Sequence, residues 1–540
     1  ANTGGQFVGQ AIEVAGLSDQ YVINAALVDI NNDGWLDIYY STYRGGNFLI
    51  YNEKGAFVEA NQIKLPNRED AWMTAATAFA DLDQDGDLDI VLGNWIMGSF
   101  LSRPIRGREG GTNYILWNGG EDFVMEELAG EPGETLTILV SDITGDGIPD
   151  MIVGNDFEVP DFYYIGLGNG EMEIVERSSK FIQRSTLLTM SASSADINND
   201  LRQEIYLANA SGTDRSRMVP IEEICEEASG TTYYDECLSV RADQALMHIT
   251  LRRGDPFTCS ELSTQALTEQ CIGMQLYNNS WWTRNSETCD LLDGRFQVLG
   301  DICSEYFGFK DVPMGDAFFG MVQQGARRTN VLLVQNDEGK FIDEALEFNV
   351  REAGWSWNAQ FADLDHDGWQ DLYVANGMFF ENTSEARESN HFLRNYEGKD
   401  FVDETEEFGL TMNAEVSAYS YVDIDNDGDL DIVAVEAVGP VWVFVNNESD
   451  SNAVSFELRD ELGNQFGIGS ELVVSLDDGK KYLRELRSSG GFISFNDPVV
   501  HFGIGDSKSI DSVEVRWPTG DSSILEGEFV PGSRYRILRQ

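Results

Sequence analysis

The chain of 540 residues has little positive charge and almost no histidine. It contains 36 lysines and arginines and 4 histidines against 93 aspartates and glutamates, which gives a formal net charge of -57. A surface with this balance repels the phosphates of nucleic acids and an anionic membrane surface. The composition therefore argues against nucleic acid as a partner.

Long apolar runs are also missing. Acidic residues or glycines interrupt every apolar stretch well before the roughly 18 residues that a membrane-spanning helix needs. No secretory signal or lipid-attachment motif is visible, and the start at Ala1 is compatible with a processed chain. We expect no membrane span and a secreted protein, located outside the cell, in the periplasm or at the cell surface.

Motifs that carry catalysis are absent as well. The sequence contains no HExxH, no GxSxG elbow and no phosphate-binding glycine loop. We therefore expect that the protein is not an enzyme. A calcium-dependent polysaccharide lyase remains an alternative, since a lysine or tyrosine can serve as the base in such an enzyme.

What the chain does have is one aspartate-rich loop that recurs six times, five of them with the pattern D-x-[DNT]-x-D-G-x-x-D followed by an apolar run. Positions 1, 3, 5 and 9 offer side-chain oxygens, and position 7 offers a backbone carbonyl. These are the hard oxygen ligands that calcium prefers, and the glycine at position 6 permits the sharp turn around one ion. The closing acid at position 9 and the flanking strands exclude an EF-hand, and simple acidic β-turns are the competing interpretation.

The candidate calcium ligands of the six loops, in chain order, are Asp29, Asn31, Asp33, Trp35 and Asp37; Asp81, Asp83, Asp85, Asp87 and Asp89; Asp142, Thr144, Asp146, Ile148 and Asp150; Asp196, Asn198, Asp200 and Glu204; Asp363, Asp365, Asp367, Trp369 and Asp371; Asp423, Asp425, Asp427, Asp429 and Asp431. The fourth loop has Leu201 where the turn glycine belongs, so we expect it to bind weakly or not at all. The cofactor predicted from the six loops is calcium, about five or six ions per chain.

The loops also define a repeat. They begin at residues 29, 81, 142, 196, 363 and 423, and a strand ending in Asn, a glycine turn and another strand lie between them. About four short strands per repeat is the composition of a propeller blade. We predict an all-β fold over residues 1–450 with six blades, or seven if the long fourth interval hides another, closed by pairing the strand from Gly4 with the one from Pro440.

The fourth interval contains an insertion, residues 211–318, that holds every cysteine: Cys225, Cys237, Cys259, Cys271, Cys289 and Cys303. The even count without a CxxC pair predicts three disulfides in a small, partly helical subdomain, in preference to a zinc or iron-sulfur site. The six cysteines leave fifteen possible pairings open. Disulfides would place the chain in an oxidising compartment.

From residue 451 the loop pattern stops, and residues 451–540 predict a small β domain of alternating strands. This segment resembles the ASPIC/UnbV domain in the motifs GIG from Gly467, RELRSSGG from Arg484, HFGIG from His501 and VEVRWP from Val513. The repeats resemble the FG-GAP or VCBS class, and the two parts in this order resemble the cartilage acidic protein family and its bacterial relatives. The resemblance implies an extracellular calcium-binding propeller with adhesive or interaction roles.

The resulting functional hypothesis is a binding or adhesion module whose partner is an extracellular protein or glycan and whose calcium is structural. A structural subunit of an extracellular homo- or hetero-assembly is the second hypothesis.

Overall fold

The computed structural model describes residues 20–95, 111–209, 329–377, 389–447 and 452–540, apart from short gaps of at most five residues, together with Thr268 and Ile272. The six cysteines, the predicted helices of the insertion and the predicted strand from Gly4 lie outside the described residues. All thirty named elements are strands, so the prediction of an all-β protein is confirmed. No helix in these ranges is long and apolar enough to span a membrane.

Each of the six loops lies between the first two strands of an antiparallel meander. The first three repeats give the strands β1 Val22–Val28, β2 Asp37–Thr42, β3 Gly46–Glu53 and β4 Ala56–Lys64; β5 Met73–Ala80, β6 Asp89–Trp95, β7 Tyr114–Asn118 and β8 Phe123–Glu127; β9 Glu134–Ser141, β10 Asp150–Asp156, β11 Phe162–Gly168 and β12 Glu171–Ile174. The second and third meanders join into one sheet through a single pair, Trp95 with Glu134.

The last three repeats give β13 Thr189–Ala195, β14 Glu204–Asn209, β15 Val331–Gln335 and β16 Phe341–Asp343; β17 Ser356–Ala362, β18 Asp371–Asn376, β19 His391–Tyr396 and β20 Asp400–Asp403; β21 Val416–Val422, β22 Asp431–Glu436 and β23 Val441–Phe444. The sixth sheet thus has three strands among the described residues. Each second strand begins at the closing acid of its loop, so that acid lies buried at that end of its strand.

The first strands of consecutive sheets pack against one another in chain order, from β1 to β21. They are rich in small side chains, as in the sequences MTAATAFA of β5 and TMSASSA of β13, and nearly every residue of these two strands is buried. Small residues let neighbouring backbones approach closely. The core between sheets is filled instead by larger residues of the second and third strands, such as Tyr206, Leu332 and Leu372.

In the second, fourth and fifth sheets, the end opposite the loop is closed by an Asn side chain. The backbone N–H at the end of the second strand donates to the Oδ1 of an Asn at the start of the third, over 2.8 Å from Asn94 to Asn113, 2.7 Å from Asn209 to Asn330 and 2.9 Å from Asn376 to Asn390. In the third sheet Asp161 accepts the same bond from Asn155. We call these contacts the amide clips.

The terminal residues form two further sheets. One has the order β27-β24-β30 and the other the order β26-β25-β28-β29, and β24 and β30 run parallel. Their strands are β24 Ala453–Asp460, β25 Glu471–Leu476, β26 Lys481–Glu485, β27 Val499–Gly503, β28 Ile510–Arg516, β29 Ser522–Phe529 and β30 Ser533–Arg539. Apolar residues of these sheets share one buried cluster with residues of the first two repeats.

Residues 488–497 of the terminal sheets run across the first strands of five repeats, and we call them the inserted segment. Its Ser488 carbonyl accepts from Phe79 in β5, and the N–H groups of Gly490 and Gly491 donate to carbonyls in β9 and β13. Further along, the Phe492 N–H donates to Asn358 in β17, and Asn496 accepts from a backbone N–H in β21. Both glycines have positive φ, and a Cβ at Gly490 would lie 2.8 Å from a backbone oxygen of β13.

Candidate metal centres

The second loop shows how each loop is held in shape by its own carboxylates. Asp81 accepts the backbone N–H groups of Asp85 and Gly86, both over 3.0 Å. The closing acid Asp89 accepts the N–H of Asn118, at the end of the third strand, over 2.9 Å. These bonds turn the acidic side chains toward the inside of the loop, so the chain itself sets the geometry of a cation site.

A further bond to the closing acid is common to all six loops. The closing acid accepts a backbone N–H near the start of its own loop in all six, from Ile30, Leu82, Thr144, Ile197, Leu364 and Ile424. All five glycines at position 6 have positive φ, which is the conformation that the sequence pattern predicted for the turn.

Three loops bring carboxylate oxygens within 4.8 Å of one another, and these groups could hold a metal ion. They are Asp81 with Asp83 and Asp85, Asp363 with Asp365 and Asp371, and Asp423 with Asp425 and Asp431. Oxygen ligands at this density suit a hard divalent cation such as calcium. The first, third and fourth loops form no group this tight among the residues that the structure describes. The individual ligand assignments stay predictions.

The acids at positions 1 and 9 of the second loop, Asp81 and Asp89, are buried, and neither forms an ion pair with a lysine or arginine among the described residues. Burial, with a smaller contribution from neighbouring loop acids, raises the pKa of Asp89 to about 8 and that of Asp81 to about 7. Asp363 is 1% exposed, and its Oδ1 is buried without a hydrogen-bond partner. Buried charges of one sign are costly unless a counter-charge joins them. The donor set therefore fits a divalent cation, which would supply that charge.

The fourth loop keeps the turn despite its missing glycine. Leu201 has a φ of 67°, in the left-handed region, and Asp196 accepts the N–H groups of Asp200 and Leu201 as in the other loops. The Asp200 carboxylate, however, is paired with Arg202 over 2.6 Å. Leu201 in place of glycine thus preserves the shape of the turn but strains the backbone. The expectation that this loop binds weakly stays a prediction.

In three loops the side chain at position 4 links neighbouring loops, a role that the sequence pattern did not reveal. The Nδ2 of Asn32 donates to the carbonyl of Gly86 over 3.2 Å and to Asp87 over 2.7 Å. The Gln84 side chain reaches Gly147 over 3.1 Å, and the Asn199 side chain reaches Gly368 over 3.3 Å. Each donor comes from one loop and each acceptor from the next, so these bonds link the first three loops in series and the fourth loop to the fifth.

One signal for these links is present in the sequence. Position 4 has positive φ in every loop, and four of the six residues there are Asn or Gly, which adopt that conformation most readily. A second link uses the Asn that ends the third strand. The Nδ2 of Asn118 donates to the carbonyls of Leu88 in its own loop and Ile30 in the preceding one, and Asn395 does the same with Gln370 and Ile197.

Arginines of the terminal sheets also reach the loops. Arg484 is 7% exposed, and its guanidinium donates to the carbonyl of Gly368 over 3.1 Å. Burial disfavours the charge on Arg484 and lowers its pKa, while Asp363 and Asp196 oppose that shift. The RELRSSGG motif therefore places a cation between the fourth and fifth loops.

Comparison with known families shows two modules in this order. Residues 29–92 match the FG-GAP-like repeat, and residues 460–537 match the ASPIC and UnbV domain. The chain is also homologous to cartilage acidic protein 1, with 29% identity over 165 residues to the mouse protein and 27% over 165 residues to the human protein. The resemblance inferred from the sequence is confirmed. The matched region covers 29% of this chain, 25% of the mouse protein and 24% of the human protein.

Two solved structures resemble the chain at low identity. A lectin from Agrocybe aegerita, whose structure is described as recognising non-reducing terminal N-acetylglucosamine, matches 34% of this chain and 46% of its own at 18% identity and a TM-score of 0.25. The V. cholerae biofilm matrix protein Bap1 matches 94% of this chain and 59% of its own at 12% identity and a TM-score of 0.26.

Proposed function

We propose that this protein is a secreted calcium-binding β-propeller that serves as an adhesion or interaction module for an extracellular protein or glycan. Its calcium ions are structural. The observation that carries the proposal is the set of three loops in which carboxylates, at least one of them buried in each loop, lie close together at the start of the second strand. Homology to cartilage acidic protein 1 and the FG-GAP-like repeat support the extracellular interaction role.

The six repeat sheets support a six-bladed propeller. Five have four strands and the sixth has three among the described residues, which leaves the outer side of β23 for the strand predicted from Gly4. The side chains of Val441 and Val443 on β23 are 60% and 45% exposed in the described structure. Pairing of the two ends of the chain in one blade would cover them and close the ring.

Calcium would act as a fastener in this arrangement. Each ion would join the end of one first strand to the start of the next second strand and neutralise carboxylates that otherwise repel. Binding at 100-fold over the dissociation constant stabilises the folded state by about 2.7 kcal/mol per independent site. The acids Asp81 and Asp89 accept backbone N–H groups of their own loop, which favours a binding role over acid-base catalysis.

The test is removal of calcium from the full chain. We expect a chelator to lower the melting temperature by about 10 °C or more, and calcium to restore it where the same concentration of magnesium does not. Elemental analysis of the loaded protein should find at least three calcium ions per chain. An unchanged melting temperature together with fewer than three ions would refute the proposal.

The partner class is tested separately. We expect the calcium-loaded chain to retain a glycan on an array or an extracellular protein in a pull-down, and the chelated chain to lose it. Calcium-dependent self-association in size-exclusion chromatography, without any such partner, would favour the structural-subunit alternative.

A further inference from the structure

In five repeats a backbone N–H near the end of the third strand donates to the closing acid of the loop, and the residue just before that N–H can be compared between repeats. That residue is Tyr51, Trp117, Ile165, Arg394 or Val445 in the five repeats where the bond is present. Four of these side chains are uncharged. Only the repeat of the fifth loop places a cation there.

The Arg394 guanidinium lies on the ligand carboxylates of the fifth loop. Its Nε contacts Asp365, its Nη2 donates to Asp367 over 3.3 Å, and its Nη1 lies 3.7 Å from Glu404. The guanidinium also stacks near the ring of Tyr396, with its carbon 5.1 Å from the ring centroid. The position of the guanidinium is therefore fixed by residues outside the loop, Glu404 and Tyr396, as well as by the loop acids.

The second loop provides the contrast. Its acids have the same spacing, and within the ranges that the structure describes none of them forms an ion pair with a lysine or arginine. Arg484 also contacts the fifth loop, where its guanidinium donates to the carbonyl of Gly368 at position 6. Two guanidinium groups therefore oppose a cation at the fifth loop, although its motif is as complete as that of the second.

We propose that Arg394 is a resident cation of the fifth loop, and that this loop binds calcium about ten-fold or more weakly than the second loop. The inference rests on the proposed calcium function. A guanidinium in contact with two ligand carboxylates repels an incoming divalent ion and must release or share those oxygens before the ion is fully coordinated. The fifth site then fills only at high calcium concentration, so a complete motif is not always a tight site.

The experiment is a calcium-binding isotherm of the full chain, measured by competition with a chromophoric chelator. In the otherwise unchanged chain, Asp85→Asn should remove one tightly bound ion from the second loop, whereas Asp367→Asn should leave the number of tight ions unchanged. Arg394→Met keeps the apolar stem without the charge and should add one tight ion. That gain should disappear in Arg394→Met combined with Asp367→Asn, and Arg394→Lys should behave as the unchanged chain.

A reciprocal variant covers the case in which Arg394→Met does not fold. Trp117→Arg places the guanidinium beside the second loop and should cost one tight ion, while Trp117→Tyr, the residue of the first repeat, should not. If Arg394→Met or Trp117→Arg leaves the binding isotherm unchanged, the inference about Arg394 is overturned, while the proposed calcium function stands. A chain that binds no calcium, with Asp85→Asn without effect, overturns the proposed function itself.

Discussion

In the second, fourth and fifth repeats, the two ends of the sheet are closed by different chemistry. At one end the aspartate loops concentrate buried carboxylates, and at the other the amide clips join strands through neutral hydrogen bonds such as that from Asn94 to Asn113. The amide clips of these repeats join neutral groups, whereas the acidic end carries several carboxylates close together. The difference teaches that only the acidic end should depend on ions and on pH.

The largest expected effect that separates the two ends is that of pH on the metal-free chain. Burial raises the pKa of Asp89 to about 8 and those of Asp81 and Asp150 to about 7. The folded state then binds more protons than the unfolded state between about pH 4 and 8, so the stability present at low pH is lost as the pH rises through 7 to 8.

We therefore expect the melting temperature of chelator-treated, desalted protein to rise by several degrees from about pH 8.5 to about pH 5.5. With calcium bound the trend should reverse, because protons then compete with the ion for the same carboxylates. Thermal scans across this range, with and without calcium, measure both trends. A metal-free melting temperature that falls on acidification contradicts the burial argument.

The second prediction concerns a single acid of the second loop. Asp85→Asn keeps the oxygen that accepts the Asp87 N–H over 2.9 Å but removes a ligand charge. It should lower the free energy of unfolding by about 1–3 kcal/mol in calcium, through loss of one bound ion, and leave it nearly unchanged in chelator. Denaturant unfolding under both conditions measures this, and an equal loss in both would assign Asp85 a role independent of calcium.

The third prediction addresses the amide end. Asn113 accepts the Asn94 N–H over 2.8 Å and donates to Thr135 over 2.9 Å, and it is 8% exposed. Asn113→Ala should lower the free energy of unfolding by about 1–3 kcal/mol, because buried polar groups lose their hydrogen-bond partner. The loss should be the same with and without calcium. The exposed Asn447→Ala serves as the control and should change little. A loss of stability in Asn113→Ala that appears only in calcium would contradict the proposed difference between the two ends.

The smallest expected effect is at the fourth turn. Leu201 adopts the left-handed conformation with a φ of 67°, as Gly147 does with 84° in the third loop. Leu201→Gly should stabilise the chain by about 1 kcal/mol, and Gly147→Ala, where a Cβ would meet nothing within 4 Å, should destabilise it by about as much. Equal responses to chelator in Leu201→Gly and the unchanged chain would show that the turn alone does not limit ion binding there.

Much of this arrangement follows from local sequence. The closing acids start the second strands, and the turn glycines adopt positive φ, because both features depend on residues within nine positions of each other. The links from Asn32 and Asn199 to the next loop were not predictable, since their partners lie 54 and 169 residues further along the chain. Packing of the sheets, rather than the motif, sets those distances. Arg394 was missed for the same reason, because a third-strand residue reaches the loop only after the sheet has formed.

The inserted segment also has a consequence for the order of folding. The serine hydroxyl of Ser489 bonds to Val140, 349 residues earlier in the chain, and Gly491 accepts from Thr137 across 354 residues. Contacts this distant in sequence form late and slow the search for the native state. During synthesis the first strands of the repeats therefore stay uncovered until the inserted segment has been made.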